Sequence, residues 1–486
     1  MDQLIQKMAR LMPALSLALI LTVPQVSFKT YAQPQSINPP KAQFIIDDIG
    51  YIINPDSLTV SVANDWENVS YLQFPNGGIY DGCEKIVIPP TIDYNGKEYT
   101  VNTIAADAFC NCVNLKEVIL PNTIKVISEN AFFETGIKIL ILPEGLEVVE
   151  GYGLASDFDE LVIPTSLQLI RSYAIGFVKK ITWNARYCET DPKYTKQFIC
   201  AQKLEEIYFG DEVEIIPFGI CESSLITNVT IPESVTVIEE NAFAGTHNLE
   251  SVVIPNGVTV IKARTFSNSS ISSVVLPESL TYIGDNAFLS TKITSLKLPE
   301  SLSYIGLQAF MGCSQLTTVE WNNSLRHIGG SAFQDCVNMT SPIVFPEGFQ
   351  CVQTAAFARC AKVPMLKSYI MNPQDISTDS IKTVNIGNNK GILSIPYGTR
   401  AKYDSCSDVW IPSRFSAIVE RLTSNGITGN VNGDDAVDGN DANVLINYLL
   451  GDEGLVDEDR AGDLNGDGST DGSDLNALIN MLLGVD

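Results

Sequence analysis

"LPESLTYIGDNAF" at residues 276–288 returns as "LPESLSYIGLQAF" at residues 298–310. A phrase that recurs at a fixed interval marks a chain built from one stacked unit. The large apolar residue closing each phrase sets the register. It falls at Phe109, Phe132, Leu154, Ile175, Phe198, Ile220, Phe243, Phe266, Phe288, Phe310, Phe333 and Phe357. Successive anchors lie 21 to 24 residues apart. The stretch "ARYCETDPKYTKQFIC" (185–200) is irregular, yet Phe198 keeps the count in phase.

Each unit has the same grammar. A short polar segment follows the anchor, then a strand-like phrase rich in Val, Ile and Leu, which suit a pleated strand. "LESVVI" (249–254) offers Leu249, Val252 and Ile254 as inward residues. A proline then ends the strand, because it fixes φ and cannot donate to a ladder. It stands at Pro121, Pro143, Pro232, Pro255, Pro277 and Pro299. A second apolar pair, such as Leu280 and Ile283, precedes the next anchor. A unit this short cannot bury its own apolar face, whereas stacked copies can. The expectation is a mainly β solenoid of 22–23-residue coils, its strands aligned in one continuous parallel sheet.

The phrase "LxxVxIPxxVxxIxxxAFxxC" resembles the BspA-like, treponemal-type leucine-rich repeat of bacterial surface proteins. The resemblance spans roughly residues 44–425, with the coils from Leu154 to Ile220 departing from the pattern. It implies a leucine-rich repeat fold and a role in adhesion to host extracellular proteins or to other bacteria.

The N-terminus reads "MDQLIQKMARLMPALSLALILTVPQVSFKTYAQ". Lys7 and Arg10 precede an apolar run from Leu11 to Val23, and Thr30-Tyr31-Ala32 offers a cleavage site. This reads as a secretory signal, with no transmembrane segment in the mature chain. A secreted or cell-surface location follows. Of 11 cysteines, Cys112, Cys313, Cys336 and Cys360 all sit three residues past an anchor. They share one slot and read as buried thiols, since cysteine is small and often fully buried. Cys188 and Cys200, in the irregular coil, are the best disulfide candidates.

The formal net charge is −26. Residues 426–486 hold 12 Asp, 2 Glu and one Arg, so half of that charge sits in the last 61 residues. Such a chain is not drawn to nucleic acid. The aspartates are patterned. "NVNGDDAVDGNDANVLINYLLG" (430–451) and "DLNGDGSTDGSDLNALINMLLG" (463–484) are one motif shifted by 33 residues. In the second copy Asp463, Asn465, Asp467, Asp471 and Asp474 take positions 1, 3, 5, 9 and 12 of an oxygen-rich calcium loop. Ser469 supplies the position-7 carbonyl, and Gly468 stands at the sharp turn. Leu475, Leu478, Ile479, Leu482 and Leu483 then follow at helical spacing.

A duplicated loop with only its exiting helix resembles the type I dockerin module. In that family these positions are the calcium ligands. The resemblance therefore carries them to the first copy as Asn430, Asn432, Asp434, Asp438, Asp441 and the Ala436 carbonyl. That copy departs at Asn430 and at Asp435, which replaces the turn glycine. With three carboxylates against four, it is expected to bind calcium more weakly. Two ions and a cohesin-like partner are implied.

No catalytic constellation stands out. His247 and His327 occupy repeat slots, and the chain has no G-x-S-x-G, phosphate-binding loop or H-E-x-x-H. A non-enzyme is expected. The strand alternation leaves Glu117, Ile119, Ile141, Val162, Glu206, Tyr208, Asn228, Thr230, Ser251, Val253, Ser273, Val275, Lys297 and Glu320 facing outward. The mix suits a surface for an extracellular protein or glycan, and equally a row set by strand propensity alone. The predicted organisation is a signal peptide (1–32), a β-rich cap (33–103), the solenoid (104–368), a C-terminal cap (369–425) and the calcium module (426–486). The function expected is adhesion by a monomer. The alternative is an accessory subunit of an extracellular polysaccharide-degrading complex, tethered through a cohesin.

Overall fold

The computed structural model describes residues 40–56, 58–65, 78–190, 199–376, 391–396, 398–406, 415–421, 446 and 476–479. The expected signal segment, Phe198 and the twelve expected loop ligands lie outside these residues. The described chain is mainly β, a parallel solenoid whose coils follow the repeat.

Each regular coil has two short strands. The second apolar pair forms two-residue strands, which stack in register from Val126–Ile127 to Glu189–Thr190 and again from Ile215–Ile216 to Cys351–Val352. The "LxxVxI" phrases form the other face, and there the structure corrects the expectation of one continuous sheet. That face is divided into five parallel runs. Lys85–Val87 pairs Glu117–Ile119; a run from Ile139–Ile141 passes through Leu154–Ile163 and Ile175–Trp183 to Glu206–Phe209. Ser251–Val253 pairs Ser273–Val275, and Ser295–Lys297 pairs Thr318–Glu320. The last run joins Ile343–Phe345, Met365–Ser368, Ile392–Pro396 and Ala417–Arg421. Strands this short offer few ladder bonds, so stacking rests on the anchors and turns as well.

The anchor column is buried. Phe109, Phe132, Leu154, Ile175, Phe243, Phe266, Phe288, Phe310, Phe333 and Phe357 are all 0% exposed. From Phe243 to Phe357 the rings stack at centroid spacings of 5.1 to 5.5 Å. Around each anchor the backbone donates to the next coil, as Phe288 N does to Ala309 O at 2.8 Å. Holding those bonds requires a left-handed residue two positions before the anchor, such as Asn286 (φ 56°) or Gln308 (φ 55°). Each such residue is strained by about 1–2 kcal/mol, and the ladder offsets it.

Phe198 lies outside the described residues, and its neighbour in sequence, Ile199, pairs with Ile175. One expected anchor moves by one residue. Cys221, not Ile220, donates to Ala242 O, the slot in which Phe243 donates to Thr265 O. Ile220 is also fully buried, where neighbouring coils place Ala242 or Ala287. Large and small residues have thus exchanged places, so the volume packed between coils is roughly kept. The irregular coils have a further cause. Only five residues lie between Leu154 and Glu160, and four between Ile175 and Lys180. The chain there has no room for the turn after the anchor and runs straight on as long strands.

The serine in "PES" is structural. Ser279 Oγ donates to Val258 O at 3.0 Å, and Ser301 Oγ to Leu280 O at 2.6 Å, each in the preceding coil. Caps close both ends. Tyr80 packs against Phe109 with ring centroids 4.8 Å apart and planes tilted by 46°, and its hydroxyl donates to Ala63 O at 2.9 Å. At the far end the Tyr403 hydroxyl donates to Ile370 O at 2.8 Å.

No disulfide joins any of the 11 cysteines, so the Cys188–Cys200 bridge suggested by their place in the irregular coil is not formed. Cys313, Cys336 and Cys360 are fully buried. Their thiols donate to Phe288 O, Phe310 O and Phe333 O at 3.2, 3.3 and 3.0 Å. Thr246 and Thr291 fill the same slot and bond to their own anchor carbonyls. The slot selects a small side chain with one donor.

Candidate interaction surface

The five-run face presents its alternate residues to solvent. Of the outward residues expected from the strand phrases, Val162 alone is half-buried and the others are exposed. The third residues of successive strands make a row. In it Val87, Ile119, Ile141, Tyr208, Val253 and Val275 are 54, 43, 66, 53, 63 and 56% exposed. Lys297 and Glu320 end the apolar part of that row. Sequence reasoning missed Val87 of this row and also the exposed Ile139, the first residue of the strand that ends at Ile141. Val87 lies before the first anchor, and Ile139, 58% exposed, sits in "KILIL", where consecutive apolar residues hide the alternation.

Charge clusters on the irregular coils. Lys179 Nζ lies 2.7 Å from Asp159, Lys180 Nζ 3.1 Å from Glu160, and Lys203 Nζ 3.1 Å from Asp157. The hydrogen bond from Lys179 holds the Asp159 carboxyl below the usual carboxylate range and raises Lys179. These pairs are solvated and contribute little stability. Their effect is to keep the middle of the face polar beside the apolar row. Lys180 also lies 5.7 Å from the Tyr208 ring centroid.

His247 and His327 do not meet. His327 stacks on Tyr304 at 4.3 Å as part of the second-face column, and burial lowers its pKa. Among the described residues no group of three or more His, Cys, Asp or Glu could hold a metal ion. Of the C-terminal duplicate, residues 476–479 are helical and Leu478 is buried.

A parallel solenoid with a capped aromatic core and a row of exposed strand residues defines a repeat protein built to present a surface. The BspA type leucine rich repeat region matches in six copies, over residues 92–190, 178–250 and 236–364. The chain belongs to that family. Residues 428–483 match the dockerin type I domain, a family that binds calcium and implies a cohesin-type protein partner. Neither family is catalytic in general. No curated protein matches the chain.

Among solved structures, a leucine-rich repeat protein from Bacteroides ovatus is 23% identical, covering 62% of this chain and 94% of its own, with a TM-score of 0.34. A leucine rich cell surface protein from Faecalibacterium prausnitzii is 18% identical over 82% of this chain and 100% of its own, TM-score 0.33. The pneumococcal vaccine antigen PcpA is 16% identical over 78% and 99%, TM-score 0.38. Both families are extracellular or cell-surface, and among the described residues no helix is long and apolar enough to cross a membrane.

Proposed function

We propose that this protein is an exported, non-enzymatic adhesion scaffold. Its outward strand row docks an extracellular protein, and the C-terminal module tethers it to a cohesin-like partner. The observation carrying this reading is the exposed apolar row from Val87 to Val275, flanked by solvated ion pairs. An apolar centre with a polar rim is the anatomy of a protein interface. Solenoids commonly offer such extended faces. The working unit is a monomer with the five segments set out above.

The module at 426–486 takes two calcium ions in this reading. Asp463, Asn465, Asp467, Ser469, Asp471 and Asp474 hold the tighter one. Asn430, Asn432, Asp434, Ala436, Asp438 and Asp441 hold the weaker. The donors are all oxygen, which suits a hard cation. The dockerin match supports a second reading, an accessory subunit of a polysaccharide-degrading complex.

A pull-down separates the two. Residues 33–425 immobilised as bait should retain fibronectin, fibrinogen or collagen from a purified set. Retention of none of these, together with capture of cohesin by 426–486, would transfer the case to the accessory-subunit reading.

A further inference from the structure

The five-run face is broken between Thr318–Glu320 and Ile343–Phe345, which pair backward and forward but not with each other. Side chains bridge the break. Val319 N donates to Ser341 Oγ at 3.0 Å, and Trp321 Nε1 donates to Pro342 O at 2.8 Å. The break opens a depression of about 320 Å³, lined by Trp321, Asn322, Asn323, Val344, Lys367 and Tyr369 among others. That volume is at the small end of ligand sites.

The walls are rigid. Trp321 packs edge-on against Phe333 at 5.5 Å and Phe357 at 6.1 Å, besides its hydrogen bond. Tyr369 N is tied to Phe345 O at 2.9 Å. Asn322 is 2% exposed, and its amide nitrogen donates to both Pro299 O and Leu302 O. Two carbonyl partners fix which end of the amide is nitrogen. Asn322 Oδ1 is left buried with no donor.

We propose that this depression is a subsite for one pyranose ring of an extracellular glycan. Aromatic walls suit the C–H face of a sugar, which is apolar, while its rim of hydroxyls both donates and accepts. Lys367 and the exposed Asn323 donate to those hydroxyls from the rim. An extended peptide fits less well, because strand addition needs free backbone edges. Here Ser341 and Trp321 already occupy the Val319 N–H and the Pro342 carbonyl. The inference rests on the reading of the solenoid as a binding scaffold and adds a site distinct from the apolar row.

Affinity electrophoresis of the full chain in gels containing soluble xylan, galactomannan, pectin or mucin tests it. At least one should retard the protein. Lys367→Ala with Tyr369→Ala should weaken that retardation at least tenfold without changing the melting temperature. Trp321 is left intact because it packs on the core. If the double variant does not fold, Asn323→Ala on the exposed rim should weaken binding about threefold. Retardation by none of the four, or retardation indifferent to these changes, overturns the subsite. Retention of matrix proteins by the same preparations would show that the failure belongs to the glycan site and not to the scaffold.

Discussion

Phe288 and Phe310, in neighbouring coils, stack with centroids 5.2 Å apart and planes within 2°. Each is fully buried, and Phe288 N reaches across to Ala309 O at 2.8 Å. Side-chain and backbone stacking thus coincide at one point per coil. Phe288→Ala removes a ring that also contacts Phe266 at 5.3 Å. It should cost about 3–5 kcal/mol through lost transfer energy and the cavity left behind. Chemical denaturation gives the number. An unchanged midpoint would contradict the stacked core.

Asp107 supplies a pH signature. Burial pushes its carboxyl up to about 6, even though Asn130 Nδ2 donates to it at 3.0 Å. An unfolded aspartate titrates near 3.9. Between those values the folded chain holds a proton that the unfolded chain has lost, so this residue's contribution to stability falls as pH rises. The penalty above pH 6 is roughly 2–3 kcal/mol. Asp107→Asn removes the charge and suits the left-handed backbone, φ 57°. At pH 7 the variant should melt higher than the parent, and at pH 4 the two should converge. A parent that outlasts the variant at pH 7 would refute the assignment.

The cysteine slot predicts inert thiols. Burial raises the Cys313 pKa to about 11, and the thiolate is the reactive form. Native protein treated with a thiol reagent at pH 8 should leave Cys313, Cys336 and Cys360 unlabelled, while denatured protein labels them all. Peptide mapping that finds any two of them bridged would overturn the slot.

Much of this was legible in the sequence, because the repeat is a packing rule written out many times. Phe243 to Phe357 could be placed from spacing alone. The errors came where the rule was satisfied by other means. Ile220 and Cys221 exchange the small and large slots, so hydrophobicity favoured the wrong one of the pair. The shortened segments after Leu154 and Ile175 delete a turn that no residue type announces. Breaks in the strand face depend on how neighbouring coils register, a property of pairs of coils. The Trp321 depression is such a break, and no motif signals it. The aspartate loops are read from ligand spacing, which is local, and their ligands lie outside the described residues.

Calcium gives a separate test. A module of some 60 residues has a thin apolar core, so metal binding should supply much of its stability. At a hundredfold excess over Kd that is about 2.7 kcal/mol. Residues 426–486 alone should gain helical circular dichroism on moving from chelator to millimolar Ca²⁺. Asp474→Ala should abolish binding at the second loop, and Asp441→Ala should matter less. Identical spectra with and without chelator would remove calcium from the account.

The central claim is that the outward row recognises a partner, and a charge placed on it is the most direct probe. Ile141 and Val253 are 66 and 63% exposed, so Ile141→Asp with Val253→Asp should shift stability by less than about 1 kcal/mol. Binding of the full chain to an immobilised matrix protein should fall at least tenfold while the melting temperature stays put. Undiminished binding by the folded double variant would contradict the claim.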